Sequence, residues 1–364
     1  IIGPTVKGPV EVPTVVTTWS EYQNKFGTTF QSGSSTNLQN YTYLTSITAY
    51  NYFANGGQSL LVARVVSESS AWRFASSSFI PTGSGTTGTS PFVLQTLSKG
   101  DIMNNSGSEG TNNTLSSGSA DNIRWQITNV NTGSGTFDLF IRRGDDNILQ
   151  PVVLEAWTGL NLDPYSSNYV ARVIGDTIAN FDSTNTQIQY SGSFANRSNY
   201  VTVKQVNFTT PNYLNSNGTI SVNAYSASIP INASGTFTGG VSVIKGGANF
   251  YGSIDATNTQ GLIGANYTNM ISLLANTDDY KFNVLLTPGL TNASHASQVA
   301  DIILNTQNRG DSIYVLDPSL YGKQVSTVVS DVANRNTSYA ASYWPWVQVV
   351  EPSTGQIVWV PAST

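Results

Sequence analysis

The stretch FNVLLTPGLTNASHASQVADIILNTQNRGDSIYVLDP, residues 282–318, decides how the rest of the chain is read. FNVLLTPGL has the length and apolar character of a buried strand. In TNASHASQVADIILNTQNRG, Val299, Ile302, Ile303 and Thr306 recur at helical spacing and make one apolar face, and Gly310 stops the helix. DSIYVLDP is a second buried strand. GKQVSTVVSDVANR then repeats the stripe with Val325, Val328, Val329 and Val332. Strand, helix, strand, helix, strand predicts a βαβ layer with parallel pairing. YWPWVQVVEP, read as the last core strand, and its partner GQIVWVPAS close the region across the turn EPSTG.

The beginning of the chain is punctuated in the same style. TVVTTWSEYQNKFG predicts a strand and then a helix, with Thr18 as N-cap, Glu21 completing a capping box and Gly27 as the stop. LQNYTYLTSITAYNYFANGG places Leu38, Tyr41, Leu44, Thr48 and Tyr52 at helical spacing, ended by Gly56 and Gly57 before the strand SLLVARVV. Between the two ends the character changes. SSSFIPTGSGTTGTS reads as a linker, and IRWQITNV, FDLFIRR and ILQPVVLEAW alternate with strand period. YVTVKQVNF, GTISVNAYSAS and VSVIKGG form a second β-rich stretch. The predicted fold is an α/β core, a mixed sheet with helices, built from residues 1–80 and 245–364, with inserted β-rich material. Residues 81–200 are expected as a β-rich outer domain, and 201–244 as a β-rich connecting segment or second small domain.

Only 10% of the 364 residues are charged, against roughly a quarter in an average domain, which suits an outward-facing or assembly-forming protein. A net charge of -5 leaves no basic footprint for nucleic acid and mainly serves solubility. No cysteine is present and His295 is the single histidine, so disulfides, zinc-thiolate clusters and multi-histidine metal sites are excluded and no cofactor is expected. No apolar run reaches membrane-spanning length.

Catalytic signatures are absent: there is no G-x-S-x-G, no H-E-x-x-H and no phosphate loop, and Lys245 before Gly246 and Gly247 lacks the spacing to cradle a phosphate. His295 lacks a visible nucleophile or orienting partner and is read as a capping or surface residue. The pairs Asp145–Asp146 and Asp278–Asp279 could be carboxylate pairs or calcium ligands, but their Gly/Asn context reads as solvated turns. Arg143–Gly144–Asp145 matches an integrin-binding tripeptide as a chance triplet. Asn40 and Asn266 are glycan acceptors in pattern, by-products of Asn/Thr richness. The chain is therefore read as a non-enzyme. Trp19, Trp72, Trp125, Trp157, Trp344, Trp346 and Trp359 are spread as packing residues. In YWPWV, Pro345 places the strand at an edge or at its own start. The period of two then puts Trp344 and Trp346 on one face, opposite Tyr343 and Val347.

The order of these motifs resembles the tail sheath proteins of contractile bacteriophages and related contractile injection systems. In that family a Pro-Gly after a strand, a helix, a strand ending in Asp-Pro, and a Tyr-x-Pro-Trp strand with a Pro-containing stop recur in this order. Pro288, Gly289, Asp317, Pro318, Tyr343, Pro345, Trp346 and Pro361, with Ser363, stand in the matching places. GPTVKGPVEVPTVVTTWSEYQNKFG and YLTSITAYNYFANGGQSLLVARVV are similar to the family's opening, and the two blocks cover about half the chain. The family's stop has a second proline where this chain has Ala362, or one position away from it.

The resemblance implies a structural subunit that polymerises as stacked rings around an inner tail tube and contracts to drive the tube through the host envelope. It implies as partners other copies of the chain, the tube protein, and baseplate and tail terminator proteins, with no nucleic acid and no membrane insertion. It implies a place in the virion after assembly in the host cytoplasm, and linking arms beyond both ends of this sequence. Composition also suits a secreted or surface-layer β-rich adhesin, and a carboxylate-pair carbohydrate-active enzyme is a further rival.

Overall fold

In chain order the N-terminal part runs β1 (Ile2–Gly3), β2 (Thr14–Val16), α1 (Trp19–Phe26), β3 (Thr29–Ser34), β4 (Asn37–Thr42), α2 (Leu44–Ala54) and β5 (Leu60–Arg64). This computed structural model describes residues 1–34, 37–66, 73–85, 88–105, 109–241, 250–251, 254–255 and 259–364. Strand β5 is central in its sheet, parallel to β1 and antiparallel to β2. Helix α1 begins as its cap predicts, with the Glu21 amide donating to Thr18 Oγ1 at 3.1 Å. The Glu21 carboxylate reaches back one residue further than a capping box requires, accepting from the Thr17 amide and hydroxyl.

The helix expected from Leu38 starts only at Leu44. Leu38 and Tyr41 lie in β4, which pairs with β3 from Thr29↔Thr42 to Ser34↔Asn37. Tyr41 and Tyr43, two residues apart, both stack on Phe30, at 5.8 and 4.8 Å between ring centroids. Aromatic pairing at strand period outweighs the coincidental helical spacing.

The chain divides into two units, Ile1–Ala71 with Phe181–Ile188 and Ser242–Thr364, and Trp72–Asn180 with Gln189–Val241. The middle of the chain carries β6 (Phe74–Ser77), β7 (Phe92–Lys99), β8 (Ile123–Asn131), β9 (Thr136–Arg143), β10 (Val153–Leu160) and α3 (Val170–Ile174). It continues with β11 (Ile178–Asp182), β12 (Gln187–Ser191), β13 (Val201–Val206), α4 (Tyr225–Ser228), β14 (Ala233–Gly235) and β15 (Phe237–Thr238).

Two four-stranded antiparallel sheets, ordered β10-β9-β8-β14 and β13-β7-β6-β15, share one core in the second unit. Trp125, Ile127, Phe137 and Leu139 enter it from one sheet, and Phe92, Leu94, Val201 and Val203 from the other. Strands β13, β14 and β15 complete these sheets, so residues 201–241 belong to the second unit instead of a separate segment or small domain. The run 76–90 is not all linker, because Ser76 and Ser77 end β6. GTISVNAYSAS forms no strand; it ends in the short helix α4. VSVIKGG falls, after Val241, outside the described residues, as does Trp72.

The C-terminal part returns to the first unit with α5 (Thr268–Leu273), β16 (Val284–Thr291), α6 (Ala296–Arg309), β17 (Ile313–Asp317), α7 (Val325–Val332), β18 (Ala340–Ser342), β19 (Val347–Val350) and β20 (Ile357–Val360). Strands β16, β17 and β18 are adjacent and parallel, the βαβαβ order that the periodicity predicts. The third parallel strand is β18; YWPWV lies beyond it. Helix α6 buries Val299, Ile302, Ile303 and Thr306 and ends on Gly310 at φ 71°. Helix α7 buries Val328 and packs Val332 on the core, while Val325 and Val329 are exposed, so its stripe is only half used. One core takes Ile2, Ala63 and Val65 from the N-terminal part and Leu285, Leu290, Tyr314 and Leu316 from the C-terminal part. Among the described residues no helix is long and apolar enough to cross a membrane.

Candidate assembly surface

The motif positions collect where the parallel strands end. Asp317, the last residue of β17, is buried, and its carboxylate accepts from the Ser363 amide at 3.2 Å and the Ser363 hydroxyl at 2.7 Å. Burial pushes this carboxyl up to about 7, with the Ser363 bonds acting in the opposite direction. Pro318 is buried beside it and its carbonyl accepts from the Ala293 amide. The buried Trp346 donates through Nε1 to the Ser319 carbonyl at 3.2 Å and packs with Leu44, Ile47, Ile254, Val358 and Val360. Pro288 and Gly289 lie inside β16, at the irregular register between Leu286 and Thr291. A Cβ on Gly289 would sit 3.5 Å from both Leu44 and Ile254 of that cluster. Pro361 is buried, whereas Tyr343 and Pro345 face outward.

Strands β19 and β20 form a two-stranded sheet of their own, paired from Val347↔Val360 to Val350↔Ile357. Glu351 builds the turn between them: its buried carboxylate accepts from the Ser353 amide at 2.9 Å and from the Thr354 amide and hydroxyl, both at 2.6 Å. Gly355 supplies the positive φ, 72°, that completes the turn. One face of the hairpin, Val358 and Val360, packs on the Trp346 cluster. The other carries Gln348, Val350, Ile357 and Trp359, with Val350 61% exposed, Ile357 68% and Trp359 39%. Tyr321 lies against Trp359, 5.3 Å between centroids. Each strand has one partner in its sheet, so each leaves an edge without a strand partner among the described residues.

The two tryptophans do not share a face. Trp346 is 6% exposed and Trp344 41%, because the strand starts at Val347 and pleat alternation does not extend back over Tyr343 to Trp346. Pro345 accordingly stands before the strand.

The residues weighed for chemistry are not assembled. His295 holds the N-cap position of α6 but is buried; its Nδ1 accepts from the Thr291 amide at 3.2 Å, and it makes no capping bond to the helix. It is neither a surface nor a capping group, and burial pushes its pKa down. Asp146 is buried and bidentate to Arg142, at 2.7 and 2.9 Å, while Asp145 pairs with Arg143 at 2.5 Å. The adjacent aspartates therefore serve separate arginines, and Asp146 is not the solvated residue expected. The Arg143–Gly144–Asp145 triplet closes on itself through that ion pair. The amides of Asp278 and Asp279 donate to Asn276 Oδ1, a local turn. Asn40 is exposed on β4. Asn266 is buried, its side chain accepting from the Ile263 amide, so it is not a surface acceptor. Lys245, Gly246 and Gly247 lie outside the described residues. Among the described residues no three His, Cys, Asp or Glu side chains gather as a metal cluster.

Two organising residues went unrecognised in the sequence. Glu351 is one, with Ser353, Thr354 and Gly355 following it as a turn signal. Arg64 is the other: fully buried, it donates to the carbonyls of Thr5 at 3.2 Å and Gly8 at 2.7 Å and so fixes the first loop. A charged residue inside the apolar run SLLVARVV was the available sign. In comparisons with known proteins, no family model matches this chain and no curated protein matches it at a significant level.

Proposed function

We propose that this chain is a structural subunit of a contractile phage tail sheath, acting without catalysis or cofactor. Copies polymerise as stacked rings around a tail tube and contract to drive the tube through the host envelope. The observation that carries this reading is the β19–β20 hairpin. It stands as a two-stranded sheet with an apolar outer face and edges that have no strand partner among the described residues, held on a parallel α/β layer whose motif residues occur in sheath order. Such edges favour addition of a strand from a neighbouring copy, which satisfies the backbone donors and covers the apolar face. Repeated head-to-tail contacts of this kind generate rings or helices. In the same reading the inner tube and the baseplate and terminator proteins are partners, and the virion tail is the site of action.

Negative-stain electron microscopy of the protein, expressed with its full natural termini and concentrated, tests the reading. Rings or tubes are expected; monodisperse monomers at every concentration would sink it.

The adhesin reading has one observation in its favour, an open cleft of roughly 480 Å³ in the second unit lined by Tyr169, Asp176, Phe194, Lys204 and Gln205. Saturable binding of a saccharide to that unit, lost in Tyr169→Ala, together with absence of assembly, would favour it over the sheath.

A further inference from the structure

Among the described residues, Asp317 is the one carboxylate at the end of the parallel sheet whose side chain is buried and bonded to a single residue, Ser363. Pro361 and Ser363 are buried over it, and the Thr364 amide donates back to the Pro361 carbonyl at 3.0 Å, folding these residues into a turn. We propose that Asp317 and Ser363 form a proton-gated latch, which holds residues 361–364 as a strap over the end of the parallel sheet while the carboxyl is protonated and loosens when it ionises.

The surroundings set the direction. On β17 itself the titratable neighbour is Tyr314, whose phenol is bonded to the Thr287 hydroxyl at 2.7 Å and kept neutral by burial. Ahead of α6 stands His295, occupied by the Thr291 amide and pushed by burial towards its neutral form. Beyond α7, Arg335 is bonded to Asn292 Oδ1 at 2.8 Å and to the Ala296 carbonyl at 2.7 Å, and Asp331 offers its backbone carbonyl to Asn292. Asp317 makes no ion pair with any of them. Among the described residues, an ionised Asp317 therefore has two donors from Ser363 to offset the loss of water, and no cation.

Lifting the strap returns water to the carboxylate and restores its ordinary affinity for protons. With the strap down, burial raises the pKa to about 7. Between the ordinary carboxylate value of about 4 and this raised one, the open form releases a proton that the closed form keeps. Ionisation thus favours opening, and protonation favours closure. The opening constant rises by up to about tenfold per pH unit over this window and levels off above it.

Amide hydrogen exchange at Ser363, corrected for intrinsic rate and followed from pH 5 to pH 8 on the whole chain, reads the latch directly. Protection of Ser363 is expected to fall at least tenfold across the range in the unmodified protein. Asp317→Asn should abolish the slope, and Ser363→Ala should lower protection of the neighbouring amides at every pH while keeping it. Equal protection at pH 5 and pH 8, or an unchanged slope in Asp317→Asn, overturns the proposal. The carboxyl carbon shift of Asp317, measured by NMR in the unmodified protein, gives a readout that needs no variant; a midpoint near 4 also overturns it. The latch is local and is tested on isolated protein, so failure of tubes to form would leave it standing.

Discussion

Gly289 and Gly355 both hold positive φ, 91° and 72°, but a methyl group would meet different surroundings at each. At Gly289 it would come within 2.8 Å of Thr259 Oγ1, the hydroxyl that donates to the Gly289 carbonyl; at Gly355 nothing lies within 4 Å. Gly355→Ala should therefore cost about 1 kcal/mol, the price of a left-handed conformation alone. Gly289→Ala adds a steric term and should cost about 2 to 4 kcal/mol. Urea unfolding midpoints of the two variants test the order, and equal losses would contradict it. Glu351→Ala removes three accepted bonds from a buried side chain and should destabilise by about 2 kcal/mol, read by the same titration. Thr18, Gly27 and Gly310 could be placed from the sequence because capping acts within a few residues. Asp317 and Arg64 could not, since the segments that meet them lie 46 and 59 residues away in sequence.

At the scale of elements, the β8–β9 pair shows how a strand pattern tolerates what it should not. Arg124 and Arg142 stand directly opposite each other across the pair, both buried, a like-charge juxtaposition that is unfavourable by itself. Asp146 lies between them, bidentate to Arg142 and 3.6 Å from Arg124, and Glu109 pairs with Arg124 from the other side. Burial and the neighbouring Arg142 push the Arg124 pKa down, in that order of weight. Asp146→Ala leaves two buried cations facing each other and should cost about 3 to 5 kcal/mol. Calorimetry should show the loss in the transition that contains the second unit, with Asp145→Ala, at an exposed pair, changing it by less than about 1 kcal/mol. The same lesson applies to β4. Its residues satisfied a helical spacing, and only the pairing with β3 and the stacking on Phe30 selected the strand.

For the whole molecule, the exposed side of β19–β20 is where stability can be tested apart from the proposed assembly. Val350→Ser combined with Ile357→Lys touches only the solvent face, so the melting temperature should move by no more than about 2 °C. If copies add strands to this hairpin, the same pair should abolish concentration-dependent assembly in sedimentation velocity. Assembly that persists unchanged would remove the hairpin from the interface.

The sequence by itself determined the helices and strands that announce themselves within a single window. These include α1 with its cap, α6 with its apolar face and glycine stop, the parallel strands around it, and the absence of the cysteines that thiol chemistry requires. The return of the chain's last third to the style of its first was also legible there, because periodicity and punctuation are local properties. Only the tertiary structure decided that residues 201–241 complete the second unit's sheets, that Trp346 turns inward while Trp344 does not, and that Asp317 is sealed beneath Ser363. Each of these depends on which distant segment supplies the partner strand or excludes the water, and neither strand pairing nor desolvation is encoded in any one stretch of sequence.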